Sequence, residues 1–279
     1  MIPRREILNG ARTKQIKQRR KRIFFIKLYI ALFLLVALII GLAFLSRNQK
    51  LLINKVNIAG NNVISTEDLL KLVNDETAGS YLFVFPKKDV FLYPQRRTER
   101  KILENFERIS EAKIKVNNLT EITITVKERE GKYLWCKDKC YFADEGGYIF
   151  DQAPDFSGNS YFKFLGGLKI GEEESPVGEY ILPAEEFARL SKFSSALGTV
   201  LLPTKTASLE IAENGDYKLS MEGTDGKIIF KKENNFDKLL ENFDSALKSA
   251  PLKTDFKVKF KSLLYIDLRF DNKVYFKFQ

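Results

Sequence analysis

Cys136 and Cys140 are the only thiols in the 279-residue chain, and they flank Lys137-Asp138-Lys139. If Tyr133–Cys136 and Cys140–Ala143 are strands joined by that three-residue turn, the two sulfurs face each other across a hairpin. A disulfide is then geometrically permitted, and chemically stable outside the cytoplasm. The alternative, two small reduced or half-buried residues, stays open, because so short a loop gains little entropy on closure. Two thiols alone make a poor metal site, and the chain contains no histidine. That absence removes Ser-His-Asp and Cys-His nucleophiles and the usual catalytic zinc ligand sets. No G-x-S-x-G, Walker or G-x-G-x-x-G pattern occurs either. Carboxylate-only chemistry, as in glycoside hydrolysis, passes this filter. The acids are scattered, however, and no pair stands out. The residues read as a non-enzyme, with no catalytic, cofactor-binding or metal-binding position assigned.

The element that positions everything else is Leu28 to Leu45, 18 residues without a charge. As a helix it spans ~27 Å, close to the hydrocarbon thickness of a bilayer. Apolar character begins earlier, at Ile23-Phe24-Phe25-Ile26, and Lys27 sits where its ammonium can snorkel to the headgroups. A buried core helix seldom runs this far without a polar face. Residues 1–27 hold ten Lys or Arg and one acid, so nine of the ten units of net positive charge belong to this tail. The basic balance is therefore a topology signal rather than a nucleic-acid footprint, and no nucleic-acid partner is expected. A basic flank before the first apolar helix predicts a cytoplasmic N-terminus, with everything after Ser46 extracytoplasmic. No small-residue cleavage site follows Leu45, so the helix reads as an uncleaved single-pass anchor in the cytoplasmic membrane.

Beyond the anchor the chain reads as α+β. Ile53 to Ile58 predicts a strand, turned by Gly60-Asn61-Asn62. Ser65 is a good N-cap for a helix from Thr66 to about Asn74, and Gly79 leads out to the aromatic stretch Tyr81 to Phe85. Pro94 opens a second helix running to about Arg108. Two alternating strands follow, carrying Ala112, Ile114 and Val116, then Ile122, Ile124 and Val126. This β-α-α-β-β order over 53–128 forms a two-layer domain. Residues 129–279 predict a mostly antiparallel β-domain with two helices, one from Pro183 to Leu197 and one capped by Asn234 or Asn235 and ending at Lys248. Residues 151–180 read as loop. Asn214-Gly215 signals a hairpin, and the chain closes in another, Leu263–Phe270 and Val274–Phe278 around Asp271-Asn272-Lys273. Its apolar row is Leu264, Ile266, Leu268 and Phe270, opposite Tyr265, Asp267 and Arg269. A solvated sheet face accounts for the pattern. A terminal strand is also often an edge strand, which invites a partner strand.

Several features then coincide in order: the basic tail, the single anchor, Val56-Asn57-Ile58-Ala59-Gly60-Asn61-Asn62-Val63-Ile64-Ser65, the strand ending Ile124-Thr125-Val126-Lys127-Glu128-Arg129, Phe142-Ala143-Asp144-Glu145-Gly146-Gly147 and Tyr265-Ile266-Asp267-Leu268-Arg269-Phe270. Together they resemble the FtsQ/DivIB family of bacterial cell-division proteins over essentially the whole chain. V-x-I-x-G-N is shared with other POTRA domains and D-E-G-G is a turn, so the resemblance is carried by their order, the topology and the I-D-L-R ending. It implies a POTRA domain at about 53–128, a β-domain after it, and a non-catalytic septal scaffold. Such a scaffold recruits and holds the coiled-coil membrane proteins FtsB and FtsL and helps regulate septal peptidoglycan synthesis. In the family the FtsB-type partner adds to the last strand of the β-domain. By motif position this implies partner-binding roles for Arg269, Phe270, Asn272 and Lys273, with Tyr275 and Phe276 beyond them. The chain departs from the family pattern at Phe270-Asp271-Asn272-Lys273, and the Cys136/Cys140 pair is not part of that pattern. Two other readings stay open: a POTRA-bearing anchored protein of another envelope assembly, and an anchored wall hydrolase using acids alone.

Overall fold

The structure, a computed structural model, describes residues 5–156, 160–171, 174–270 and 273–279. Helix α1 (Arg5–Ser46) is continuous, and its Arg19–Ser46 portion is long and apolar enough to cross a membrane. Its apolar side chains, from Ile23 to Leu45, stand almost all exposed, as a lipid-facing helix requires. Asn48 accepts the Lys50 N–H at 3.0 Å and starts a 3₁₀ turn, Gln49–Leu51. The elements after it are β1 (Lys55–Ala59), α2 (Thr66–Thr77), β2 (Ser80–Tyr81), β3 (Phe85–Pro86), α3 (Gln95–Asn105), β4 (Ile109–Asn118) and β5 (Glu121–Glu128). The chain then continues through β6 (Tyr133–Cys136), β7 (Cys140–Ala143), β8 (Ile149–Gln152), β9 (Phe162–Gly166), α4 (Ala184–Val200), β10 (Thr206–Ile211), β11 (Asp216–Met221) and β12 (Lys227–Lys231). It ends with α5 (Phe236–Lys248), α6 (Leu252–Lys259), β13 (Leu263–Phe270) and β14 (Lys273–Phe278). The chain is a mixed α+β protein, and it divides into two compact units, residues 1–102 with 112–126 and residues 103–111 with 127–279.

In the first unit the sheet order is β1-β5-β4. β1 runs parallel to β5, with Val56 beside Ile122 and Ile58 beside Ile124. A parallel pair needs a long crossover, and the two helices supply it. Ser65 accepts the Glu67 N–H at 3.1 Å, and Glu67 and Asp68 sit in the first turn, where the helix dipole favours acids. Leu69, Val73, Ile102, Ile114, Ile122 and Ile124 are buried. Glu99 on α3 accepts the Ile114 N–H at 2.8 Å, which ties the helix to β4. α2 runs to Thr77, beyond the predicted Asn74, because the buried Thr77 hydroxyl is satisfied by the Val73 carbonyl at 2.7 Å.

The second unit is built on a nine-stranded sheet in the order β14-β13-β12-β11-β10-β9-β6-β7-β8. Five neighbouring pairs are antiparallel, and three, β12 with β13, β9 with β10 and β6 with β9, are parallel. One face carries the main core, where Phe187, Leu190, Phe193 and Leu197 of α4 and Leu239 and Phe243 of α5 meet Phe164, Leu209, Leu219, Phe230 and Ile266. Two expectations are corrected here. Residues 151–180 are not loop throughout, since they contain β9, whose Phe164 is fully buried. A parallel strand between two neighbours shows no polar face, so Tyr161-Phe162-Lys163-Phe164-Leu165 lacks a clean alternation. Three helices rather than two lie in this part of the described chain. The third, α6, is eight residues long and buries only Leu252, too little for an apolar stripe to show in the sequence.

Gly60 sets the exit from β1. Its φ is +88°, and a Cβ there would lie 2.0 Å from the Val126 carbonyl oxygen. Gly60→Ala is expected to cost the first unit ~1–3 kcal/mol from the backbone conformation alone, and more from the contact. Amide hydrogen exchange checks this: β1 and β5 should lose protection in the variant.

Candidate functional site

The last two strands form one end of the nine-stranded sheet, and among the described residues β14 has a single strand neighbour, β13. The opposite end is treated differently. Beside β8, the Ile149 N–H donates to Glu179 O at 2.9 Å, and the Gly178 N–H donates to Ile149 O at 2.8 Å. The segment 178–181 thus covers the start of the β8 edge, at Ile149, as globular sheets commonly do. β14 alternates Val274, Phe276 and Phe278, half-buried against the core, with Lys273, Tyr275 and Lys277, which point to solvent. Beside it, Ala246 and Leu252 with Val274 and Phe276 line a groove of about 310 Å³ between the α5–α6 corner and the edge strand.

The predicted apolar row of β13 is only partly apolar in place. Ile266 and Leu268 are buried, but Leu264 and Phe270 are exposed. The pairing explains both departures. Leu263 faces Phe278 and Tyr265 faces Lys277, so β13 carries an extra residue, and Leu263 rather than Leu264 takes the inward position. Asp267 faces Tyr275 and Phe270 faces Lys273, which is a second extra residue. It moves Phe270 off the row and against Tyr275, ring centroids 5.1 Å apart and nearly perpendicular. The two rings are 52% and 46% exposed, an aromatic pair standing on the outer surface at the sheet edge.

Arg269 does not stand free. Its guanidinium donates to both oxygens of Asp267, at 3.0 Å and 2.6 Å, and to Asp216 Oδ2 on β11 at 3.0 Å. Asp216 also accepts from Asn214 at 3.1 Å. Burial opposes ionisation of Asp267, but the hydrogen bonds from the Arg269 side chain and backbone outweigh it and hold its pKa below the usual value. The hydrogen bonds that Arg269 donates to Asp267, then the charges of Asp267 and Asp216, raise the Arg269 pKa further despite burial. Arg269 therefore ties β13 to β11 across the intervening β12, which sequence reasoning missed. The i, i+2 spacing of Asp267 and Arg269 was the available signal, whereas Asp216 lies 53 residues away.

Of the six residues assigned to partner binding, Arg269, Phe270, Lys273, Tyr275 and Phe276 all lie on this hairpin. Asn272, with the Asp271-Asn272 part of the turn, lies outside the described residues. Phe276 points inward and packs against Phe278, ring centroids 5.9 Å apart. Cys136 and Cys140 are directly paired across β6 and β7 and joined by a disulfide, with sulfurs 2.07 Å apart. They sit in the other half of the sheet, away from the hairpin.

The segments ending in Arg129 and containing Asp144 also meet. Arg129 donates to Asp144 at 2.6 Å, and its guanidinium stacks 4.2 Å from the centre of the Tyr148 ring. Asp144 accepts the Gly146 and Tyr148 N–H groups at 2.9 Å and 3.1 Å, fixing the turn. Burial and a hydrogen bond to the Glu107 carboxylate push the Tyr148 phenol above its ordinary pKa. The cluster is a structural clasp within the second unit. Among the described residues no group of three or more Cys, Asp or Glu comes together to hold a metal ion.

Because Asp267 has a lowered folded-state pKa, its contribution is full above the ordinary carboxylate range and is lost as pH falls through the folded value. Asp267→Asn is expected to cost ~1–3 kcal/mol at pH 7 and less at pH ~2, because the contribution declines as pH falls toward the lowered folded-state pKa. Urea unfolding followed by Trp135 fluorescence at the two pH values checks this.

No protein-family model matches the chain, and no curated protein matches it.

Proposed function

We propose that this chain is a membrane-anchored, non-catalytic scaffold of the bacterial division machinery, of the FtsQ/DivIB type. It holds FtsB- and FtsL-like partners in the cytoplasmic membrane at the septum and so helps regulate septal peptidoglycan synthesis. In this reading the N-terminus is cytoplasmic and both units are extracytoplasmic. The observation that carries it is the open β14 edge, next to the exposed Phe270–Tyr275 pair and the α5–α6 groove. An added strand would find backbone donors and acceptors on β14 and an exposed edge-to-face aromatic pair beside it, and a helix attached to that strand would fit the groove. The order of strands in the first unit, with β1 parallel to β5 around two helices, suits a POTRA domain. A disulfide suits an oxidising, extracytoplasmic compartment. The contribution of Arg269 is to hold β13 in place for the edge strand rather than to contact the partner directly.

The test is a titration of the full chain in lipid nanodiscs with the extracytoplasmic segment of an FtsB-like protein from the same organism. Saturable binding is expected, weakened at least ~10-fold by the double substitution Phe270→Glu with Tyr275→Glu. Both side chains are exposed, so the variant should keep its fold. Undiminished binding in the variant would remove the edge from the reading, and no binding by the folded chain would remove the partner.

A further inference from the structure

A second apolar surface lies wholly inside the first unit. β2 and β3 pair through Ser80 with Pro86 and Tyr81 with Phe85. Between them Leu82 and Phe83 have φ values of +49° and +62°, a left-handed conformation that large L side chains rarely adopt. The outcome is that Leu82 is 82% exposed and Phe83 96% exposed, with Phe91 at 76% close by in the chain. Two consecutive strained residues that hold a leucine and a phenylalanine out of the core point to a role at a surface other than water.

The surroundings identify that surface. Leu42 and Leu45, from the last turns of α1, share an apolar groove of about 340 Å³ with Leu51, Phe85, Phe91 and Leu92. The same two leucines belong to the stretch of α1 that is apolar enough to cross a membrane, which ends at Ser46. The Arg47 Nε donates to Val84 O at 3.4 Å, tying the hairpin to the chain where it leaves the helix. The carboxylate in the groove lining, Asp89, is buried and accepts the Phe91 N–H at 2.9 Å. Arg47, Lys50 and Lys88 are exposed and flank the lining residues along the chain. Apolar side chains continuous with a membrane span, edged by cations, match the boundary between acyl chains and anionic headgroups.

We propose that the 81–92 surface is immersed in the interfacial layer of the bilayer that α1 crosses, with Leu82 and Phe83 inserted among the acyl chains. The proposal depends on α1 spanning that bilayer and is independent of the β14 edge. The first unit is then seated on the lipid by two attachments, the helix and the hairpin tip.

The test uses the full chain in vesicles of phosphatidylcholine and phosphatidylglycerol whose acyl chains carry bromine, a contact quencher of tryptophan. Three single variants are compared: Phe83→Trp at the tip, Phe33→Trp within α1, and Val63→Trp before the start of α2, at the end of that helix remote from the tip. The emission of the one native tryptophan, the buried Trp135, is measured in the unsubstituted chain and subtracted. Quenching of at least ~2-fold is expected for Phe33→Trp and Phe83→Trp, with Val63→Trp unaffected. If Phe33→Trp is quenched and Phe83→Trp behaves like Val63→Trp, the tip lies outside lipid, as it would when docked on a protein, and the proposal fails alone. If Phe33→Trp is not quenched, the span itself fails and takes the proposal with it.

Discussion

The backbone N–H and C=O groups of a strand point alternately to its two sides and need partners on both, and the nine-stranded sheet of the second unit meets that need unevenly. β9 joins its two halves, pairing in parallel with β6 on one side and β10 on the other. Without β9, the hairpins on either side would be separate small sheets, each with two edges to protect. Adding it leaves two edges in all, β8 and β14. The segment 178–181 caps β8 at its first residue, whereas among the described residues no strand lies beyond β14.

The side chains around that edge follow from the same constraint. Asp216 on β11 and Asp267 on β13 lie on either side of β12, and the Arg269 guanidinium bridges the two carboxylates. This fixes the outer face of β13, and the extra residue beyond Asp267 then turns Phe270 outward. The aromatic pair is exposed because the strand is held, not because the terminus is loose.

Much of the local structure was legible in the residues. Asn214-Gly215 marks its hairpin, with Gly215 at φ +84° and the Ala212 N–H donating to Asp216 O at 2.9 Å. Ser65 caps α2 and Asn235 caps α5 through their own side chains. The hidden parts depend on distant partners or on single-residue irregularities. β9 has no alternation of its own, and its neighbours arrive from residues 133–136 and 206–211. The two extra residues in β13 break a strict period of two, so the sequence pattern placed Leu264 and Phe270 on the wrong side. At the candidate site the hairpin could be read, but the brace through Asp216 and the groove beside α5 could not. Both require knowing which strands are neighbours.

The connection between α1 and β1 is short, eight residues from Arg47 to Asn54, part of it wound into the Gln49–Leu51 turn. Even fully extended, such a tether reaches less than ~30 Å. With α1 in a bilayer, β1 is confined to a thin slab over the lipid. Any partner anchored in the same membrane searches that slab in two dimensions, at an effective concentration far above its bulk value. Contacts at this height need little intrinsic affinity to persist, and the same contacts would fade once the chain were cut free of its helix.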